Sequence, residues 1–201
     1  MGKMSKQKGA GFERDMSRGL SGWLSNGERG DLFWRSAMSG GRATVAQKNN
    51  IVYAAQAGDL SAIHPLGAPL IALFSVECKA YAKLYYDNIV FGADRGVRSM
   101  WINHSVDAVR YDKLPMLICK ENYKPPTVIL DRKGACIIFN HSFKRMDYRL
   151  KLHCPELDLY LYKYSDMIAA DPANLINKGI EKLKNEGVNV EGINSDLVSD
   201  G

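Results

Sequence analysis

The sequence predicts an α/β (α+β) domain in which a mixed central β-sheet is flanked by helices. Three observations predict it. Apolar residues recur at helical spacing over residues 11–25, 94–111 and 172–186. Three short β-branched or apolar runs follow one another over 114–120, 127–131 and 135–139. Two further apolar runs, 58–63 and 71–79, carry acids where a buried strand has none. A chain of 201 residues, 46% of them hydrophobic, is long enough to bury one good core, so one domain is the expectation.

Taken in order, Phe12, Met16, Leu20, Trp23 and Leu24 form one apolar stripe and predict a helix over Gly11–Ser25, which Gly27, Gly30 and Asp31 end. Leu32–Ser36 reads as a short aromatic-rich strand, and Ser36–Arg42 as a small-residue loop closing on a basic side chain. Thr44–Ala57 has no clear period and reads as an insertion. Gly58–Ile63 and Ile71–Lys79 are expected to pair as an antiparallel hairpin bending over Pro65–Pro69. Asp59 and Glu77, equidistant from Ala68, then fall near each other across the ladder. Strand alternation puts Glu77 and Lys79 on one face about 7 Å apart, and Val76 and Cys78 on the other.

Ala80–Phe91 continues as an aromatic segment with Tyr81, Tyr85 and Tyr86, read equally as core or as contact with a second copy. Val97, Met100, Trp101, His104 and Ala108 predict a helix that ends before Pro115. The runs 114–120, 127–131 and 135–139 read as consecutive strands, broken by Pro125-Pro126 and by Arg132-Lys133-Gly134. Leu157–Tyr162 is expected as an edge strand, Pro172–Glu186 as a helix, and Val188–Gly201 as a mobile polar tail.

The formal charge of +5 is compatible with a polyanionic partner. Its distribution says more: Lys3, Lys6, Lys8, Arg14 and Arg18 crowd the start, and Lys133, Lys144, Arg145 and Arg149 gather near Phe143 and Tyr148. The four cysteines form no C-x-x-C pair and read as buried thiols of a cytoplasmic protein. No signal peptide or membrane span is expected. Cys136, His141, His153 and Cys154 match no tight zinc spacing. His64 and His104 read as a turn residue and a helix-packing residue before they read as substrate contacts. There is no phosphate-binding G-x-x-x-x-G-K-[ST] and no nucleophile elbow, so a motor ATPase or a serine hydrolase is unsupported.

Hydrolysing a phosphodiester needs an attacking hydroxide and an offset for charge on the phosphate. Carboxylates converging from two strands can hold divalent ions through oxygen. Asp59 and Glu77 would bridge such an ion to the protein, the Cys78 backbone carbonyl would add a ligand, and Glu13 could complete a second site or hold water. Lys79 would orient the attacking water or stabilise developing charge while staying protonated.

The order of these residues resembles the PD-(D/E)XK nuclease superfamily, and within it the branch of Holliday-junction resolvase-like endonucleases. Gly9-Ala10-Gly11-Phe12-Glu13-Arg14 stands for that branch's opening helix, Arg35-Ser36-Ala37-Met38-Ser39-Gly40-Gly41 for its Arg-Ser and Ser-Gly loop, Asp59 for the second-strand acid, and Glu77 and Lys79 for the Glu-x-Lys. Gly58 stands where the superfamily name has proline. The resemblance covers residues 8 to about 131. It implies a restriction-endonuclease-like core over 1–140 with a basic arm, a C-terminal extension over 141–201, and catalytic residues Glu13, Asp59, Glu77 and Lys79. It further implies Mg2+, with Mn2+ as a substitute, DNA contacts from Lys6, Lys8, Arg14, Arg35, Ser36, Ser39 and Arg42, branched or duplex DNA as substrate, and a homodimer. Other readings are a restriction-type or repair nuclease acting on duplex or single-stranded DNA, and a DNA-binding protein that keeps the fold without catalysis.

Overall fold

The computed structural model describes residues 2–35, 58–140, 149–190 and 193. Helix α1 spans Gly2–Leu24, so the basic segment expected as an arm forms its first turns. Lysine, glutamine and methionine favour helix there, and no proline interrupts it. Its stripe of Phe12, Met16, Leu20, Trp23 and Leu24 is buried as expected. Two buried serines on the same helix anchor the next strand: Ser17 Oγ donates to the Phe33 carbonyl at 2.9 Å, and Ser21 Oγ accepts from the Leu32 N–H at 3.0 Å. They hold strand β1 (Phe33–Arg35), which pairs antiparallel with β2 (Leu60–Ala62).

The expected hairpin does not form. Pro65–Gly67 is a 3-10 turn and Ala68–Leu73 is helix α2, so only Phe74–Tyr81 is strand, β3. The run from Leu70 to Leu73 is apolar at every position, and such a run satisfies a buried helix as well as a buried strand. Pro69 in the first helical turn tips the choice, because its fixed φ suits that position and its missing N–H costs nothing there. The chain therefore crosses over, and Gly58 meets Val76 in a single parallel bridge.

The main sheet has the order β3-β4-β5-β7-β6, with β4 at Leu114–Glu121, β5 at Thr127–Leu130, β6 at Leu150–Cys154 and β7 at Leu159–Lys163. The β3–β4 pair is parallel and the other pairs are antiparallel. Between β3 and β4 the chain passes through α3 (Asp87–Phe91) and α4 (Val97–Arg110). Two strand expectations need correction. Residues 135–139 lie in helix α5 (Arg132–Phe139), which Asp131 starts by accepting from the Gly134 N–H at 2.6 Å. The strand near Leu157–Tyr162 is β7, which is interior, and β6 forms the edge.

Helices α6 (Tyr164–Ile168) and α7 (Ala173–Asn185) close the chain's described part. The segment beyond residue 140 thus contributes two of the five strands in this sheet. Of the tail expected to be mobile, Val190 and Ile193 are buried.

Strand alternation divides the core. Val76, Cys78, Met116, Ile118, Val128 and Leu130 face α1, α5 and α7 in the larger cluster. Leu117, Cys119, Ile129, Leu159 and Leu161 face α3 and α4 around Trp101 in the smaller one. Helices on both faces of a mixed sheet are the fold class the sequence predicts. Close packing fixes α7 on α2, where a Cβ at Gly179 would lie 2.4 Å from Pro69 Cα. Among the described residues no helix is long and apolar enough to cross a membrane.

Candidate active site

Strand β3 lies at the edge of the main sheet. Its even-numbered residues turn their backbone groups away from β4. There the Asp59 N–H donates to the Val76 carbonyl at 2.7 Å, and Asp59 Oδ2 accepts from the Cys78 N–H at 2.8 Å. The Cys78 carbonyl faces the same margin by the same alternation. Asp59 thus arrives beside β3 in parallel sense, through the crossover, and still meets the Glu77–Lys79 segment.

Gly58 makes that approach possible. Its φ is +90°, and a Cβ would sit 2.4 Å from the Val76 carbonyl oxygen. Proline, locked near −65°, cannot adopt this conformation. The glycine in place of the superfamily's proline is therefore a requirement of this backbone.

Glu77 and Lys79 share the face of β3 that looks toward α4 and form an ion pair. Burial raises the Asp59 carboxyl above the usual carboxylate range, and the charge of Glu77 adds to this against the opposing Cys78 N–H and Lys79 charge. Burial alone would lower Lys79, but its hydrogen bond with Glu77 and the charges of Glu77 and Asp59 outweigh it. The ammonium therefore titrates above the ordinary lysine value and stays protonated at neutral pH.

A cleft of about 490 Å³ opens over this face, lined by Gly58, Ser75, Glu77 and Lys79 on one side and by α4 on the other. From α4, Asn103, Asp107 and Arg110 reach the cleft. Sequence reading missed them, although their i, i+4, i+7 spacing marks a polar stripe beside the apolar one. His104 is buried and lines the same cleft, with Nε2 donating to the Ser75 carbonyl at 2.8 Å. Burial lowers its pKa, against the Ser75 hydrogen bond and the nearby carboxylates. His64 accepts from the Leu66 N–H through Nδ1 at 3.3 Å, the turn role expected of it.

The remaining candidates are distributed differently. Glu13 lies on α1, which packs on the opposite face of β3 from Glu77, and forms an ion pair with Arg35. Arg35 stands opposite Leu60 in the β1–β2 pair, one residue from Asp59. Arg14 is exposed on α1. Lys6 and Lys8 lie in the first turns of the same helix. Ser36, Ser39 and Arg42 lie outside the described residues, as do His141 and the basic positions Lys144 and Arg145.

Among the described residues no three His, Cys, Asp or Glu side chains converge on one point. Asp59 and Glu77 with the Cys78 carbonyl still fit a small hard cation. Such an ion keeps several waters and is bound by one or two carboxylates together with substrate phosphate.

A family model described as "Phage putative PDDEXK endonuclease" matches residues 4–177. The match extends well beyond residue 131 and takes in β6, β7 and the start of α7. No curated protein and no solved structure matches the chain.

Proposed function

We propose that this chain, which belongs to the phage putative PDDEXK endonuclease family, cuts DNA at the margin of β3. The family is one of metal-dependent phosphodiester hydrolases. One observation carries the reading: Asp59, Glu77 and a protonated Lys79 meet at the open strand edge beside the cleft. Asp59, Glu77 and the Cys78 carbonyl would hold Mg2+, with Mn2+ as a substitute. Held there, such an ion would supply charge to offset the phosphate and would lower the pKa of a water for attack. Lys79, already protonated, donates to the phosphate oxygen on which negative charge grows, or orients the attacking water. His104 holds Ser75, two residues before Glu77, and so fixes the strand that presents the carboxylate.

Arg35, Arg14, Lys6 and Lys8, with Ser36, Ser39 and Arg42, are proposed phosphate contacts that set the register of the duplex. Glu13 would join the metal site only on releasing Arg35, an exchange that a DNA phosphate can drive by taking the guanidinium. Branched DNA and a homodimer follow from the resemblance of the opening helix and the Arg-Ser and Ser-Gly loop to junction-resolving enzymes. Two sites related by a two-fold axis would cut two strands symmetrically.

The test is cleavage of a labelled four-way junction, a linear duplex and a single strand of matched sequence, with Mg2+ and with EDTA. Metal-dependent cutting that favours the junction is expected. Equal cutting of the duplex removes the branched-substrate reading, and binding without metal-dependent cutting removes the catalytic one. Sedimentation of the free protein as a monomer removes the dimer.

A further inference from the structure

Beyond Lys79 on the same strand the surface changes character. Tyr81 is 48% exposed and follows Lys79 by two residues, so the two share a face of β3. Tyr123, in the turn between β4 and β5, is fully exposed. It adjoins Tyr81 through the neighbouring Asn122, whose N–H donates to the Tyr81 carbonyl at 3.1 Å. Tyr85, 39% exposed, follows Leu84, whose N–H donates to Glu121 Oε2 at 3.1 Å at the start of that turn, and has Lys83 Nζ 4.8 Å and Arg95 Cζ 5.6 Å from its ring centroid.

The backbone at this place is unusual. Six non-glycine residues among those described have positive φ, and four are Asn or Asp, which adopt it readily. The other two are Tyr85 at 53° and Tyr123 at 62°. Bulky residues adopt that conformation at a cost. Here the result is two tyrosines held outward.

We propose that Tyr81, Tyr85 and Tyr123 are a stacking platform for unpaired nucleobases of the strand whose phosphate lies at Asp59, Glu77 and Lys79. The inference rests on the nuclease reading and narrows its substrate to DNA with a single-stranded segment next to the cut. Bases stack on exposed aromatic rings whatever their identity, and interleaved cations hold the backbone between them. Lys83, Arg95 and Lys124 supply those cations. The acids nearby are Glu121, which pairs with Lys124 at 2.7 Å, Asp94, which pairs with Arg98 at 3.1 Å, and Asp87 at the start of α3. Charge complementarity and continuity with the catalytic margin both favour nucleic acid over a second copy of the chain as occupant.

The experiment uses the full chain in EDTA and a single-stranded 20-mer carrying 2-aminopurine, whose fluorescence is quenched on stacking. Tyr81→Ala and Tyr123→Ala, both at exposed side chains, are each expected to weaken binding about five- to hundredfold and to remove the quenching. The corresponding phenylalanine variants keep the ring and should bind and quench like wild type. With Mg2+, the alanine variants should lose cutting of a duplex with a single-stranded flank by about the same five- to hundredfold, and should keep whatever residual cutting of fully paired duplex the wild type shows. Unchanged single-strand affinity and quenching in both alanine variants overturns the platform. So does a loss of dimer in those variants with binding intact, which assigns the patch to self-association. If wild type binds and quenches through these tyrosines yet cuts no DNA, the platform stands and the nuclease reading fails.

Discussion

Replacing Gly58 by alanine strikes the point where Asp59 is joined to β3. The added Cβ would lie 2.4 Å from the Val76 carbonyl oxygen and 2.8 Å from its nitrogen, and contacts under 3.0 Å essentially never occur for a real Cβ. The φ of +90° costs an L-residue about 1–3 kcal/mol. Moving the segment outward to relieve the clash stretches the Asp59 N–H to Val76 bond, now 2.7 Å, toward the limit of useful geometry. That bond is worth about 0.5–1.5 kcal/mol. The same shift pulls Asp59 Oδ2 off the Cys78 N–H. We expect Gly58→Ala to lose about 2–4 kcal/mol of stability and on the order of 10²-fold in cleavage rate. Gly58→Pro, which restores the superfamily residue, should be worse, because its φ is locked on the wrong side. Urea denaturation gives the first quantity, and cleavage at a temperature where both proteins are folded gives the second. A Gly58→Ala protein within about 0.5 kcal/mol of wild type and fully active would refute the reasoning.

Asp59→Asn and Glu77→Gln should reduce cutting to the EDTA background and leave DNA affinity in place, as measured by cleavage and anisotropy; normal cutting by either would move the site elsewhere. Lys79→Ala should lose about 10²–10³-fold in kcat with little change in KM, and Lys79→Arg should recover part of it. Asp131, raised above the usual carboxylate range chiefly by burial and lowered less by the Gly134 N–H, holds its proton more tightly folded than unfolded. Its contribution to stability therefore falls as pH rises from its unfolded value to its folded one, and is flat above. Asp131→Asn should remove that slope and keep the helix cap, whereas Asp131→Ala should cost about 1 kcal/mol; denaturation between pH 3 and 7 measures both. Gly179→Ala should cost about 1–3 kcal/mol by forcing α7 off Pro69, visible in the melting midpoint.

Periodicity carried much of the fold. The apolar stripes of α1 and α4 are satisfied by one period only, and the apolar runs of β4 and β5 are marked as strands by their bounds at Pro125-Pro126 and Arg132-Lys133-Gly134. The misreadings share a cause. Leu70–Leu73 and Ala135–Phe139 are short and wholly apolar, so period cannot separate strand from helix, and the deciding signals are local: Pro69 in a first turn and the Asp131 cap. β6 was missed although Leu150–Cys154 alternates in burial, because its exposed positions are polar and the run is brief. At the site, Glu77 and Lys79 sharing a face is a property of any strand and was legible. That Asp59 meets them was foreseen with the wrong geometry, since the hairpin expectation passes over the Pro69 signal for α2, the helix through which the chain returns in parallel sense. The α4 wall of the cleft depends on how a helix docks over the sheet, which the pattern of one chain does not encode.

The hydrogen bond from the Cys78 N–H to Asp59 also bears on how this protein behaves at high concentration. An edge strand offers its open amides to any extended chain that passes, which is how sheets of separate molecules fuse. In β3 that amide is already taken by a carboxylate, whose charge also repels a carbonyl seeking the same place. Asp59 therefore guards the edge as well as serving the proposed chemistry. Asparagine at this position keeps an oxygen on the amide, while alanine uncovers it, so an inert protein made with asparagine should stay dispersed where the alanine version pairs edge to edge.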